Sequence, residues 1–326
     1  MNYKIYFLFI TSLVFISCKS DVKPDIKPDV KPETTTTVKE NTSSLNNGGS
    51  VLNADDKPKS SIAITEAKII DVASIAEIVS KADHNTTLRL KKGKYELPDN
   101  LVYYISKEKK EIIDKNTVDT RSVGGQIFIS GMTNFSIIGN NSEVNSNNPI
   151  AVPLFILKGN KGEIKNLSVG HKISSKKLSN VPSLYVSNSS NMNFSNCILG
   201  NSSKTGIKIN DSKFITFTNC NISKTHSQIM EIYKGESIQF VNSVYENNDC
   251  AFPCFNFLGT ENIIEFNNVS VINNIFNGNN SNNYDQIITG PTQDIKFIKS
   301  KFKGNKNFSD IGIDNSKLID SEVQTF

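Results

Sequence analysis

The chain has 326 residues, with 36 Lys and Arg against 32 Asp and Glu and a formal charge of +4. The basic residues are spread along the chain and nearly balanced, so nothing in them forms the electrostatic footprint of a nucleic-acid binder, and no nucleic-acid partner is expected. The length allows one large domain or two small ones, with the composition of a chain that folds in water.

The first segment, 1–17, begins Met1-Asn2-Tyr3-Lys4 and continues as an apolar run from Ile5 to Ile16, broken only by Thr11 and Ser12. A bilayer-spanning helix needs about 20 residues; this run is shorter, and its length and flanks fit a secretory signal. Phe15-Ile16-Ser17-Cys18 resembles the lipobox of bacterial lipoproteins. That resemblance implies that Cys18 is acylated, becomes the new N-terminus and ties the chain to a membrane of the bacterial cell envelope. The bland alternative is an ordinary signal peptide followed by a chance cysteine.

Residues 18–60 hold the repeat Asp-Val/Ile-Lys-Pro from Asp21 to Pro32, four threonines from Thr34 to Thr37, and a stretch rich in Asn, Gly and Ser. Pro removes backbone donors and pushes the residue before it toward extended geometry. Low hydrophobicity with regular Pro predicts a solvated, semi-stiff tether. In 61–120, Val72 to Ala82 shows the apolar spacing of an amphipathic helix. Thr87 to Leu97 reads as a strand, and Ser106 to Arg121 as a charged excursion.

From residue 121 to 326 the chain repeats itself. Segments of the form apolar-x-Asn recur as Ile138-Gly-Asn140, Ile164-Lys-Asn166, Phe194-Ser-Asn196, Phe217-Thr-Asn219, Phe240-Val-Asn242 and Phe266-Asn-Asn268. Phe297-Ile-Lys299 and Leu318-Ile-Asp320 continue the series, and the intervals run from 21 to 31 residues. Upstream of each lies an alternating apolar pair, such as Leu184/Val186, Ile207/Ile209 or Ile287/Thr289. Downstream, the first and third positions are apolar or small, as in Cys197/Leu199 and Cys220/Ile222. Each repeat therefore reads as three short strands of period two joined by polar turns. Such a unit cannot bury its apolar face alone, whereas stacked coils share one continuous core.

The expected architecture is all-β, a solenoid of about eight coils closed at its N-terminal end by a helix that covers otherwise exposed strand edges. Asn suits the turn column because it tolerates left-handed φ and its amide can bond to the amide one coil away. The columns resemble those of the right-handed parallel β-helix family with the pectate-lyase-like fold, whose members commonly carry an Asn ladder at the second turn.

That resemblance directs attention to the outer face of the first strand, where family enzymes that cut acidic polysaccharides work. In the expected register its outward residues are Phe128, Phe155, Tyr185, Lys208, Glu231, Asn256, Ile288 and Gly312. Phe128, Phe155 and Tyr185 are the candidate ligand-binding residues, since sugar rings pack on aromatic faces. Aromatics also stack on any sheet face, or lie under loops such as 145–153 and 170–183. Lys208 and Glu231 sit on adjacent coils, where an ion pair competes with an acid–base role. His226 lies on the loop before the Glu231 strand and completes the catalytic candidates. His84 is expected to be exposed. No second carboxylate joins Glu231, and Arg89 and Arg121 fall outside the central coils. Calcium chemistry, a glycosidase pair and a lyase-type arginine therefore have no basis here, and neither a metal site nor a cofactor is expected. Cys250 and Cys254 lie close in sequence in an exported chain, so a bridge and two free thiols both remain open, as they do for Cys197 and Cys220. Two functions survive: a lipid-anchored envelope protein that binds a glycan or other envelope component, and a divergent polysaccharide lyase or glycoside hydrolase.

Overall fold

The left-handed corners set the course of the chain. In the computed structural model, which describes residues 68–116, 123–172, 181–200, 204–251, 253–259, 262–276, 286–291, 294–307, 312 and 314–324, the third position of every repeat turns through positive φ. The angle lies between 50° and 53° at Asn140, Asn166, Asn196, Asn219, Asn242, Asn268, Lys299 and Asp320. Exposed Asn amides bond from coil to coil: Asn196 to Asn166 (3.1 Å), Asn219 to Asn196 (3.2 Å) and Asn268 to Asn242 (2.8 Å). Lys299 and Asp320 show that the corner requires the backbone conformation, and the amide ladder is added to it.

Between the corners run parallel rungs. Phe194 pairs with Ile164 and Phe217, Phe217 with Phe240, Phe240 with Phe266, Phe266 with Phe297, and Phe297 with Leu318. A third face stacks Val169, Leu199, Ile222, Tyr245, Val271, Phe302 and Val323 in the same way. The result is a right-handed parallel β-helix with one continuous core, the handedness that parallel crossovers adopt. All described residues belong to one compact unit, 62–326.

Within the segment expected to be a cap, residues 68–116 supply rungs as well as a helix. Lys68–Val72 pairs in parallel with Thr86–Leu90, which pairs with Ser136–Ser146. Helix α1, Ile75–Lys81, is shorter than its apolar pattern because Val72 belongs to the preceding strand. Ser74 caps it by accepting from the Glu77 N–H, Glu77 accepts from the Ala73 N–H, and Ile75, Ile78 and Val79 are buried. Leu101–Ser106 joins the first face against Gln126–Ser130, and Lys110–Asp114 folds back antiparallel on it. Cys18, the signal segment, the tether and Arg121 lie outside the described residues.

Two registers differ from expectation. Ile137, not Ile138, pairs with Ile164, and an extra residue is absorbed where Asn140 and Asn141 both take positive φ. Similarly, Ile288 pairs with Phe255 and is buried, and Thr289 takes the outward position beside Asn256. Both shifts fall at Ile-Ile doublets, where alternation cannot choose between neighbours.

Candidate functional site

On the first face, the outward side chains run Tyr104, Phe128, Phe155, Tyr185, Lys208, Glu231, Asn256 and Thr289. Tyr104 extends the expected ladder by one ring. Tyr104 and Phe128 stack at 5.3 Å and 13°, and Phe155 and Tyr185 at 4.6 Å and 11°. Between these pairs, Phe128 meets Phe155 edge-on at 4.9 Å and 84°. The ladder is thus two stacked pairs with a break in the middle. Much of the ring-face area is spent within the ladder, which leaves ring edges and the break, rather than a flat aromatic platform, on its outer side.

These four rings floor a groove of about 440 Å³ whose walls include Val102, Val123, Ile150 and Val152, with Gln126 as its one side-chain amide. The volume is in the range of small-ligand sites. Through Val123 and Ile150 the groove adjoins a polar compartment of about 570 Å³ lined by Asp99, Asn100, Lys115, Asn116 and Asn148. The wall segment that carries Ile150 and Val152 is pinned from behind. The Asn148 amide donates to the Gly124 carbonyl (2.9 Å), and His171 Nε2 lies 2.8 Å from the Ala151 carbonyl oxygen. His171 is buried, and burial opposes its charged form, bringing its pKa down to about 4 against the smaller opposing effect of the Ala151 bond. The neutral ring therefore carries the Nε2 proton and donates it to Ala151.

The catalytic candidates are arranged differently. Lys208 Nζ and Glu231 Oε1 are 2.5 Å apart, and the same ammonium lies 5.8 Å from the centre of the Tyr185 ring. This is the cross-strand ion pair, at the end of the ladder and outside the groove lining. His226 occupies a half-buried bend five residues ahead of Glu231, just before the strand that begins at Gln228. The structure brings Phe128, Phe155 and Tyr185 together and places Lys208 and Glu231 at their end, and among the described residues no hydrogen bond or ion pair joins His226 to them. Arg89 is held by Asp71 in a two-pronged bond of 2.5 and 3.0 Å. Among the described residues no three His, Cys, Asp or Glu side chains gather as metal ligands.

The remaining singled-out residues are structural. His84 is half-buried, not exposed: its Nδ1 accepts the Thr133 N–H at 3.1 Å, which ties the cap to the next coil. Cys250 and Cys254 form a disulfide with a Cα–Cα distance of 5.6 Å. Cys197 and Cys220 stay reduced and buried, and the hydrogen bond to Cys220 together with burial pushes the Cys197 thiol up.

No family model matches the chain, and no characterised protein matches it in sequence. Solved structures do resemble it. An alginate lyase from Paenibacillus sp. str. FPU-7 is 11% identical, with 72% of this chain and 86% of that one covered and a TM-score of 0.38. Tailspike protein 2 of Escherichia coli O157:H7 bacteriophage CAB120 is 12% identical, covering 71% of this chain and 36% of that one, at a TM-score of 0.30. PfbA, a surface adhesin of Streptococcus pneumoniae, is 12% identical, covering 74% and 69%, also at 0.30. At these identities the likeness is one of fold alone, and fold does not fix function.

Proposed function

We propose that this chain is a lipid-anchored protein of the bacterial cell envelope whose β-helix binds a glycan along the groove floored by Tyr104, Phe128, Phe155 and Tyr185. The observation that carries the reading is the groove itself: aromatic edges and aliphatic walls face solvent in one continuous concavity. The C–H faces of sugar rings suit such walls, and the hydroxyls of Tyr104 and Tyr185 stand at the two ends of the ladder to bond sugar hydroxyls.

The enzymatic alternative has less to work with. Lys208 and Glu231 neutralise one another, and the rungs on either side of them, Tyr185 and Asn256, supply no carboxylate. In a glycan array probed with the full chain in detergent micelles, Tyr185→Ala is expected to abolish retention while circular dichroism stays that of the parent. Retention unchanged by this substitution removes the reading. The anchor has its own test. Cys18→Ala should stop incorporation of labelled palmitate and move the protein from the detergent phase to the aqueous phase. Continued detergent partitioning would mean that Cys18 does not hold the lipid.

A further inference from the structure

We propose that the groove selects uncharged glycans and rejects polyuronates and other acidic polymers. This rests on the glycan reading above and adds the chemical class of the ligand.

The argument comes from where the charges are. Among the described residues lining the aromatic groove none is ionisable in the neutral range, and its one side-chain amide, Gln126, is nearly buried. A carboxylate laid along these walls would give up its hydration and meet ring edges and aliphatic carbon, without a cation or an array of N–H donors to replace the lost water. Burying an ion on those terms is heavily penalised. Sugar hydroxyls escape that penalty, because they can stay at the open side of the groove or reach the tyrosine hydroxyls.

The charges at the two ends do not alter this. At the far end, the Lys208 ammonium is 2.5 Å from the Glu231 carboxylate. An acidic sugar that approached Lys208 would also meet the Glu231 carboxylate held against it, and that repulsion offsets the attraction, so the contact gains little. At the near end, the adjoining compartment holds Asp99 and Lys115 together, with the amides of Asn100, Asn116 and Asn148. A site with both signs and several amides matches hydroxyls, which donate and accept, better than it matches net charge of either sign. Among the described residues, both ends of the cleft therefore carry charges of both signs and its middle is apolar, a distribution opposite to that needed to hold a polyanion.

The test uses the full chain in detergent micelles on matched panels of neutral hexose polymers and uronate polymers, each at low and at high salt. The expected result is retention on neutral polymers at least tenfold above that on uronates, changing less than twofold between the salt conditions, because no ion pair is there to be screened. Stronger retention on uronates, falling as salt rises, overturns the selectivity and leaves the glycan reading standing. Retention on neither panel removes the glycan reading, and this inference with it.

Discussion

The molecule carries two aromatic ladders, one inside the coil and one outside, and they differ in regularity. Inside, Phe194, Phe217, Phe240, Phe266 and Phe297 stack at 4.3–4.9 Å with planes within 11° of parallel. Outside, Tyr104, Phe128, Phe155 and Tyr185 keep the same rung spacing, but the stack turns through 84° at its centre. Both ladders sit on the same parallel register, so the backbone does not cause the difference. The interior rings are fixed on every side by close-packed neighbours, and one orientation satisfies them all. Among the described residues, the exterior rings are fixed by the sheet beneath and by the wall that carries Ile150 and Val152. The stack can break there, and the break faces the groove.

The comparison can be broken most severely from within. Phe240→Ala removes a fully buried ring that stacks on Phe217 and Phe266. The expected loss is about 3–5 kcal/mol, the usual cost of deleting a buried aromatic ring. Urea unfolding monitored by circular dichroism measures it. A loss below about 1 kcal/mol would mean that the inner ladder relaxes as readily as the outer, and the distinction between them would fall.

Charge can be introduced where the interior meets the groove wall by lowering the pH. The His171 pKa, about 4 in the folded chain, is below its ordinary value of 6.5. As pH falls through 6.5 the unfolded chain takes up the proton first, so stability declines until about pH 4, where the folded chain protonates as well. The decline amounts to about 3 kcal/mol at its limit. Carboxylates titrate over part of this range, so the informative quantity is the difference from His171→Gln. The variant should lose stability less steeply than the parent between pH 6.5 and 4. Parallel curves would show that the ring takes up its proton in the fold without cost.

How much of this the sequence discloses depends on what each column demands. The outer Asn corners are legible because left-handed φ restricts the residues that sit there, and Asn196, Asn219 and Asn242 recur at the same place in each repeat. A second Asn ladder is hidden. Asn248 and Asn274 are buried, and each amide bonds into the next coil, Asn248 to Asn274 at 2.9 Å and Asn274 to Asn305 at 3.0 Å. The doublets Asn247-Asn248 and Asn273-Asn274 carry the signal, one Asn turning the corner and the next pointing inward, but a polar pair reads naturally as an ordinary turn. Phe128, Phe155 and Tyr185 can be placed from alternation, whereas Tyr104 cannot. It lies in the continuous apolar run Leu101 to Ile105, where period two is lost, and the hairpin formed with Lys110–Asp114 delays the next repeat. His171 gives no sequence signal either. A histidine at the end of a strand looks solvated, and its burial depends on Ala151, 20 residues away.

The mildest perturbation sharpens the contrast most, because it changes charge and almost no packing. Glu231→Gln keeps the shape of the side chain and removes the partner of Lys208, in a pair whose side chains are 35% and 20% exposed. A partly exposed pair of this kind contributes at most about 1 kcal/mol, so unfolding should scarcely shift. An equivalent uncompensated charge beside Phe240 would unfold the coil, and that asymmetry between inside and outside is what the variant reads. The effect on binding should be larger than the effect on stability. With its counter-ion gone, the Lys208 ammonium stands free at the end of the ladder, 5.8 Å from the Tyr185 ring centre. Uronate polymers that the parent chain passes over should then be retained at low salt and released at high salt. If the variant gains no such retention, the ion pair is not what keeps that end of the groove electrically silent, and the balance must come from elsewhere on the face.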